Sequence, residues 1–147
     1  MYKRILVPLD GSTLAEQALP HAVAQAERFE AELVLLQVLE VVVGAPGIWQ
    51  PTVKQTEAKM KVLAQEYLER VAASVRERGV PVQTKTIEGR PHTKIAEYAE
   101  ANQVDLIVMC ARGQSGLSRW LMGSVADRVV RGADVPVLLV RARKKKA

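Results

Sequence analysis

Two short polar segments, each placed directly after an apolar run, hold the residue types most suited to chemistry. One is Pro8-Leu9-Asp10-Gly11-Ser12; the other is Cys110-Ala111-Arg112-Gly113-Gln114-Ser115-Gly116, continuing to Gly123-Ser124. Glycines let backbone amides approach an anion closely, and a helix opening at Gly123-Ser124 adds free N–H groups and a favourable dipole. That is the physics of phosphate binding. The alternative is structural: Gly113, Gly116 and Gly123 provide only turns and close packing, and Asp10 only closes the turn at Gly11 by accepting backbone hydrogen bonds. Arg112 and Arg119 either neutralise phosphate or lie on the surface. Cys110 is either a reactive thiol at the pocket or a buried, inert one.

Other chemistry is poorly represented. No G-x4-G-K-[ST] loop is present, and no G-x-G-x-x-G follows the first apolar run. His21 and His92 are far apart in sequence, without an evident carboxylate and nucleophile beside either, and no metal-ligand cluster is visible.

The elements that must position these segments follow from hydrophobic spacing. Ile5-Leu6-Val7 with Leu9 reads as a buried strand, and Thr13 with Glu16 as a capping box opening a helix. That helix carries Ala15, Ala18, Leu19, Ala22, Val23, Ala26 and Phe29 on its apolar face, and Pro20 within it should free the Glu16 carbonyl and bend it. Leu33–Leu39, interrupted only by Gln37, is a second buried strand. Residues Val43 to Pro51 are rich in breakers and read as a loop, in which Trp49 is either a flap over the core or a contact for a ligand or partner subunit.

Val53 to Arg78 keeps helical spacing through Met60, Leu63, Ala64, Tyr67, Leu68, Val71, Ala72 and Val75, and Gly79 stops it. Val82–Ile87 alternates as a strand near a sheet edge; Pro91 opens a helix with Ile95, Ala96 and Ala99 inward, and Asn102 suits a left-handed end residue. Leu106–Met109 is the fourth strand. A helix from Gly123-Ser124 to Arg131 and a strand from Pro136 to Val140 complete the chain. Five strands alternating with helices make an α/β domain: an open parallel sheet with helices on both faces. Ligands of such sheets bind beyond the carboxyl ends of the strands, where the strand order reverses. If strands one and four are neighbours, both polar segments face one pocket.

Composition narrows the class. With 147 residues, 48% hydrophobic and 25% charged, one domain with one core is expected, built from aliphatic residues because aromatics make up only 4%. No apolar stretch approaches a membrane span and no signal-peptide pattern opens the chain, so a cytoplasmic protein is expected, and the single Cys110 fits a reducing compartment. The net charge of +5 comes from Arg141, Arg143, Lys144, Lys145 and Lys146; without them basic and acidic residues balance. The charge therefore argues for no specific nucleic-acid partner and no membrane partner. Residues 1–141 read as the folded domain and 142–147 as a basic tail, either solubilising or in nonspecific contact with polyanions or a membrane surface.

Ile5-Leu-Val-Pro-Leu-Asp-Gly-Ser12, Ala15-Glu-Gln-Ala-Leu19, Leu35-Leu-Gln-Val38, Glu88-Gly-Arg-Pro91, and Asp105-Leu-Ile-Val-Met109 running through Gly113-Gln-Ser-Gly-Leu-Ser118 to Gly123-Ser124 together resemble the universal stress protein family, in its ATP-binding branch. The resemblance spans the whole domain in order. It implies strand order 3-2-1-4-5, a Rossmann-like sheet of the adenine nucleotide alpha hydrolase type, and a motif G-x2-G-x9-G-[ST]. Gly113, Gly123 and Ser124 match that motif; Cys110 stands where the family has its first glycine. By the same resemblance Pro8, Leu9 and Asp10 line the adenosine end, Val38 meets adenine through its backbone, and Met109 with Cys110 flanks the ribose. Gly113, Gly123, Ser124 and Val125 hold the phosphates.

The leading functional expectation is a regulatory binder of ATP, or of AMP or ADP, with Mg2+ bridged mainly by phosphates. It pairs through strand Val135–Val140 into a homodimer, covering an apolar edge, and serves an unidentified protein partner in a stress response. Two alternatives are an ATPase, slow for want of a recognisable base or activating lysine, and a nucleotide-free interaction module made credible by Cys110.

Overall fold

Apolar runs that must be buried on both faces pair side by side as five parallel strands, seen in a computed structural model that describes residues 1–40, 50–111 and 124–143. The strands are β1 (Arg4–Pro8), β2 (Glu32–Leu39), β3 (Val82–Glu88), β4 (Leu106–Cys110) and β5 (Val137–Val140). Their order is β3-β2-β1-β4-β5, as the family resemblance implies. β1 lies between β2, with Ile5 opposite Leu33, and β4, with Ile5 opposite Leu106. The alternating β3 is an edge strand, in keeping with its half-polar pattern.

The helices are α1 (Leu19–Phe29), α2 (Gln50–Arg76), α3 (Pro91–Ala101) and α4 (Ser124–Gly132), with a 3-10 turn at Ala15–Ala18 before α1. Strand alternation divides the core into two layers. Ile5, Val7, Leu33, Leu35, Val108 and Cys110 pack toward α1 and α2, whereas Leu6, Val34, Leu36, Ile107 and Met109 pack toward α3 and α4. No helix among the described residues is long and apolar enough to cross a membrane.

Several local expectations are corrected. Thr13 is exposed and does not cap; Ser12 Oγ instead accepts the Ala15 N–H at 3.1 Å, and the Glu16 carboxylate is engaged by Tyr67. Pro20 does not sit inside a continuous helix but in the first turn of α1, and the Glu16 carbonyl is not freed, because it accepts the Leu19 N–H in the preceding 3-10 turn. The left-handed residue after α3 is Gln103, φ 56°, rather than Asn102, φ −115°; the Asn102 side chain instead donates to the Tyr98 carbonyl. Gly79 ends α2 in the left-handed region, φ 83°, where a Cβ is disfavoured.

Helix α2 spans Gln50–Arg76, so Pro51 belongs to the helix and not to the expected loop. Met60 and Leu63, which keep the helical spacing, are nevertheless 40% and 54% exposed; the buried stripe of α2 runs from Ala64 through Leu68, Val71, Ala72 and Val75. Phe29 is 38% exposed and stacks edge-on against Tyr2. The rest of the expected loop, with Trp49, lies outside the described residues, as do Arg112, Gly113, Gly116, Arg119, Gly123 and Lys144 to Lys146. Ala142 is buried and the Arg143 backbone is hydrogen-bonded to Gln17, so the chain beyond β5 remains attached to the domain at these two residues.

Candidate functional site

The sheet reverses its winding between β1 and β4, the two strands that the polar segments follow in the sequence. Leu6 is opposite Ile107, and two residues further along each strand lie Pro8 and Met109. The carboxyl ends of both strands therefore lie at the same end of the sheet, at the point where an open parallel sheet leaves a crevice.

The described site residues divide between the two faces. Val38, Met109 and Val125 belong to the layer toward α3 and α4, and Pro8 shares that side by alternation with Leu6. Met109 is buried while Pro8, Val38 and Val125 are partly exposed, giving an apolar wall with accessible edges. Ser124, the first described residue of α4, is exposed. Leu9 and Cys110 are buried in the opposite layer, toward α1 and α2. The expected positions Arg112, Gly113 and Gly123 lie outside the described residues.

Asp10 does what its alternative reading required. Its Oδ1 accepts the Ser12 N–H at 2.9 Å and the Ser12 hydroxyl, closing a turn over Gly11, φ 88°. The turn reaches the rest of the domain through the 3-10 segment, since Ser12 Oγ accepts from Ala15 N–H.

Cys110 points away from the apolar wall. Its Sγ donates toward the carbonyls of Leu14 at 3.1 Å and Ala15 at 3.4 Å, and burial pushes the thiol up to about 11. A thiol so held is inert as a nucleophile near neutrality. It bridges the tip of β4 to the segment after β1.

Sequence reasoning missed a second group behind the turn. Tyr67, assigned only to an apolar helix face, donates to Glu16 Oε2 at 3.0 Å, and burial together with the Glu16 carboxylate holds its phenol well above the ordinary value. The signal was present, because a tyrosine on a buried stripe needs a partner for its hydroxyl. Gln37 Oε1 is buried without a hydrogen-bond partner among the described residues, and its Nε2 lies 3.9 Å from where a Cβ on Gly11 would stand. The histidines stay apart: His21 is exposed, and His92 is partly buried beside the Thr93 hydroxyl.

The universal stress protein family model matches residues 1–141. The chain belongs to the universal stress protein family. Among members, universal stress protein MJ0531 of Methanocaldococcus jannaschii is 40% identical across 99% of this chain and 85% of its own length. The solved structure of MJ0577, from the same organism, superposes with a TM-score of 0.85 at 29% identity, covering 99% of each chain. The universal stress protein UspA from Lactobacillus plantarum superposes with a TM-score of 0.87 at 28% identity, over 95% of this chain and 98% of its own. More distant family structures have been solved with a nucleotide: one with cAMP at 23% identity, one from Archaeoglobus fulgidus with dAMP at 20%, and one from Arabidopsis thaliana with AMP at 18%.

Proposed function

We infer that this universal stress protein binds an adenine nucleotide in the crevice between β1 and β4, and acts as a binding and regulatory module in the cytoplasm. The observation that carries the reading is the split of residues at that crevice. Pro8, Val38, Met109 and Val125 offer an apolar wall on one side, Asp10 closes the turn at the tip of β1, and the amino end of α4 suits negative charge. Cys110, in the place of a family glycine, is compatible with it because the thiol is turned into the α1 and α2 layer. The AMP, dAMP and cAMP held by distant relatives agree in ligand class.

ATP is the proposed ligand, with Mg2+ riding on its phosphates, and Gly113 and Gly123 completing the phosphate grip. The apolar β5 lies at the edge of the sheet, and an uncovered edge of this kind invites pairing, so the proposed assembly is a two-fold homodimer through Val135–Val140. Nucleotide occupancy then alters which protein partner is engaged.

The direct test is mass analysis of small molecules released from freshly purified protein, followed by Gly123→Val. An adenine nucleotide that co-purifies with the parent and is lost in the variant is the expected result. Its retention by Gly123→Val would place the ligand elsewhere. Light scattering at micromolar concentration should give a dimer, and a monomer would contradict the edge pairing.

A further inference from the structure

The 3-10 turn Ala15–Ala18 is gripped by parts of the chain far from it in sequence. Tyr67 of α2 donates to Glu16 Oε2 at 3.0 Å. Gln17 pairs with the backbone beyond β5: its Nε2 donates to the Arg143 carbonyl at 2.7 Å, and its Oε1 accepts the Arg143 N–H at 2.8 Å. On its other side the turn is joined to the tip of β1. Ser12 Oγ accepts from Ala15 N–H, the Ser12 carbonyl accepts from Glu16 N–H at 3.4 Å, and Ser12 in turn holds the Asp10 carboxylate. A continuous run of hydrogen bonds therefore leads from Asp10 to α2 and to the chain after β5.

The anchoring has a physical consequence. Gly11 is exposed and in the left-handed region, and Asp10 and Ser12 are only partly buried, so the turn gains order from the hydrogen bonds that tie it to its neighbours. A turn that must be ordered when a ligand arrives subtracts that cost from affinity, and one ordered beforehand does not. Ala15 and Ala18 of the 3-10 turn pack in the layer toward α1 and α2, opposite the wall formed by Val38, Met109 and Val125.

We propose that Glu16, Gln17 and Tyr67 are positioning residues for the nucleotide-binding turn: they touch no ligand, but fix the 3-10 segment and through it the placement of Asp10. This rests on the nucleotide reading above and assigns three residues outside the site as described. Tyr67 and Gln17 tie the segment to different parts of the chain, so loss of either leaves the other in place.

The test is the dissociation constant for ATP with Mg2+, measured well below the unfolding temperature, alongside thermal unfolding, for Tyr67→Phe, Gln17→Ala, Glu16→Ala and Glu16→Gln. Tyr67→Phe, Gln17→Ala and Glu16→Ala should each weaken binding roughly 3- to 10-fold, the worth of one hydrogen bond. Glu16→Gln keeps an oxygen to accept from Tyr67 and should bind like the parent. Variants that unfold at lower temperature yet bind with parental affinity would overturn the proposal and leave the nucleotide reading standing. A parent chain that binds no nucleotide would overturn both.

Discussion

Leu6 of β1 lies directly opposite Ile107 of β4, although β2, β3 and the three intervening helices separate them in the chain. This one pairing brings the Pro8–Ser12 and Cys110–Ala111 tips to a common crevice. It also puts both residues, fully buried, at the centre of the layer beneath α3 and α4.

Ile107→Ala should therefore be severely destabilising, by roughly 2–5 kcal/mol, since it removes a large side chain from a site with no solvent access. Urea unfolding checks this. A loss below about 1 kcal/mol would mean that the layer is looser than its burial indicates.

Gly79 gives a cleaner backbone test. No atom lies within 4 Å of a Cβ added there, so Gly79→Ala meets only the cost of a left-handed conformation. The expected loss is about 1–2 kcal/mol, read as a lower urea midpoint with an unchanged slope. A neutral or stabilising result would argue against the left-handed stop.

Gln37 presents the opposite case. Its Oε1 is buried without a partner among the described residues, within a strand that is otherwise apolar, an arrangement that costs stability. Gln37→Met, close in volume, should raise stability by about 1 kcal/mol. A fall would reveal that the carboxamide makes a stabilising contact.

Cys110 predicts a pH effect whose sign is fixed by its burial. Its folded pKa is raised from 9.0 to about 11, so folding favours the neutral thiol. The stability it contributes is whole below 9.0 and is lost as pH rises toward 11. At about pH 8 the folded chain then holds roughly 100-fold less thiolate than the unfolded one, and iodoacetamide should label it at least that much more slowly. Over the alkaline range the urea midpoint should fall more steeply in the parent than in Cys110→Ala. Equal labelling rates in the folded and urea-unfolded chain would contradict the buried placement.

Hydrophobic runs made the strands legible, because Ile5–Val7, Leu33–Leu36 and Leu106–Met109 are too apolar for anything but a sheet covered on both sides. The crevice followed from the polar tails of the first and fourth runs once the strand order was known. What periodicity could not supply was local hydrogen bonding. Ser12 and Thr13 are equally good caps by type, and only the closed turn at Asp10 selects Ser12. Asn102 and Gln103 differ in which one the chain drives into the left-handed region. The stripe of α2 also outruns its support: Met60 and Leu63 keep the helical spacing but lie ahead of the buried stretch that starts at Ala64. The link from Tyr67 to Glu16 spans 51 residues and belongs to no motif.

The most direct test of the nucleotide-binding reading is calorimetric titration of the full chain with ATP and Mg2+ up to millimolar concentration. Saturable binding of one nucleotide per chain, weakened by bulk introduced at Met109, is the predicted result. Absence of any saturable heat from nucleotide-stripped parent protein, with its thermal unfolding unmoved by ATP, would contradict it.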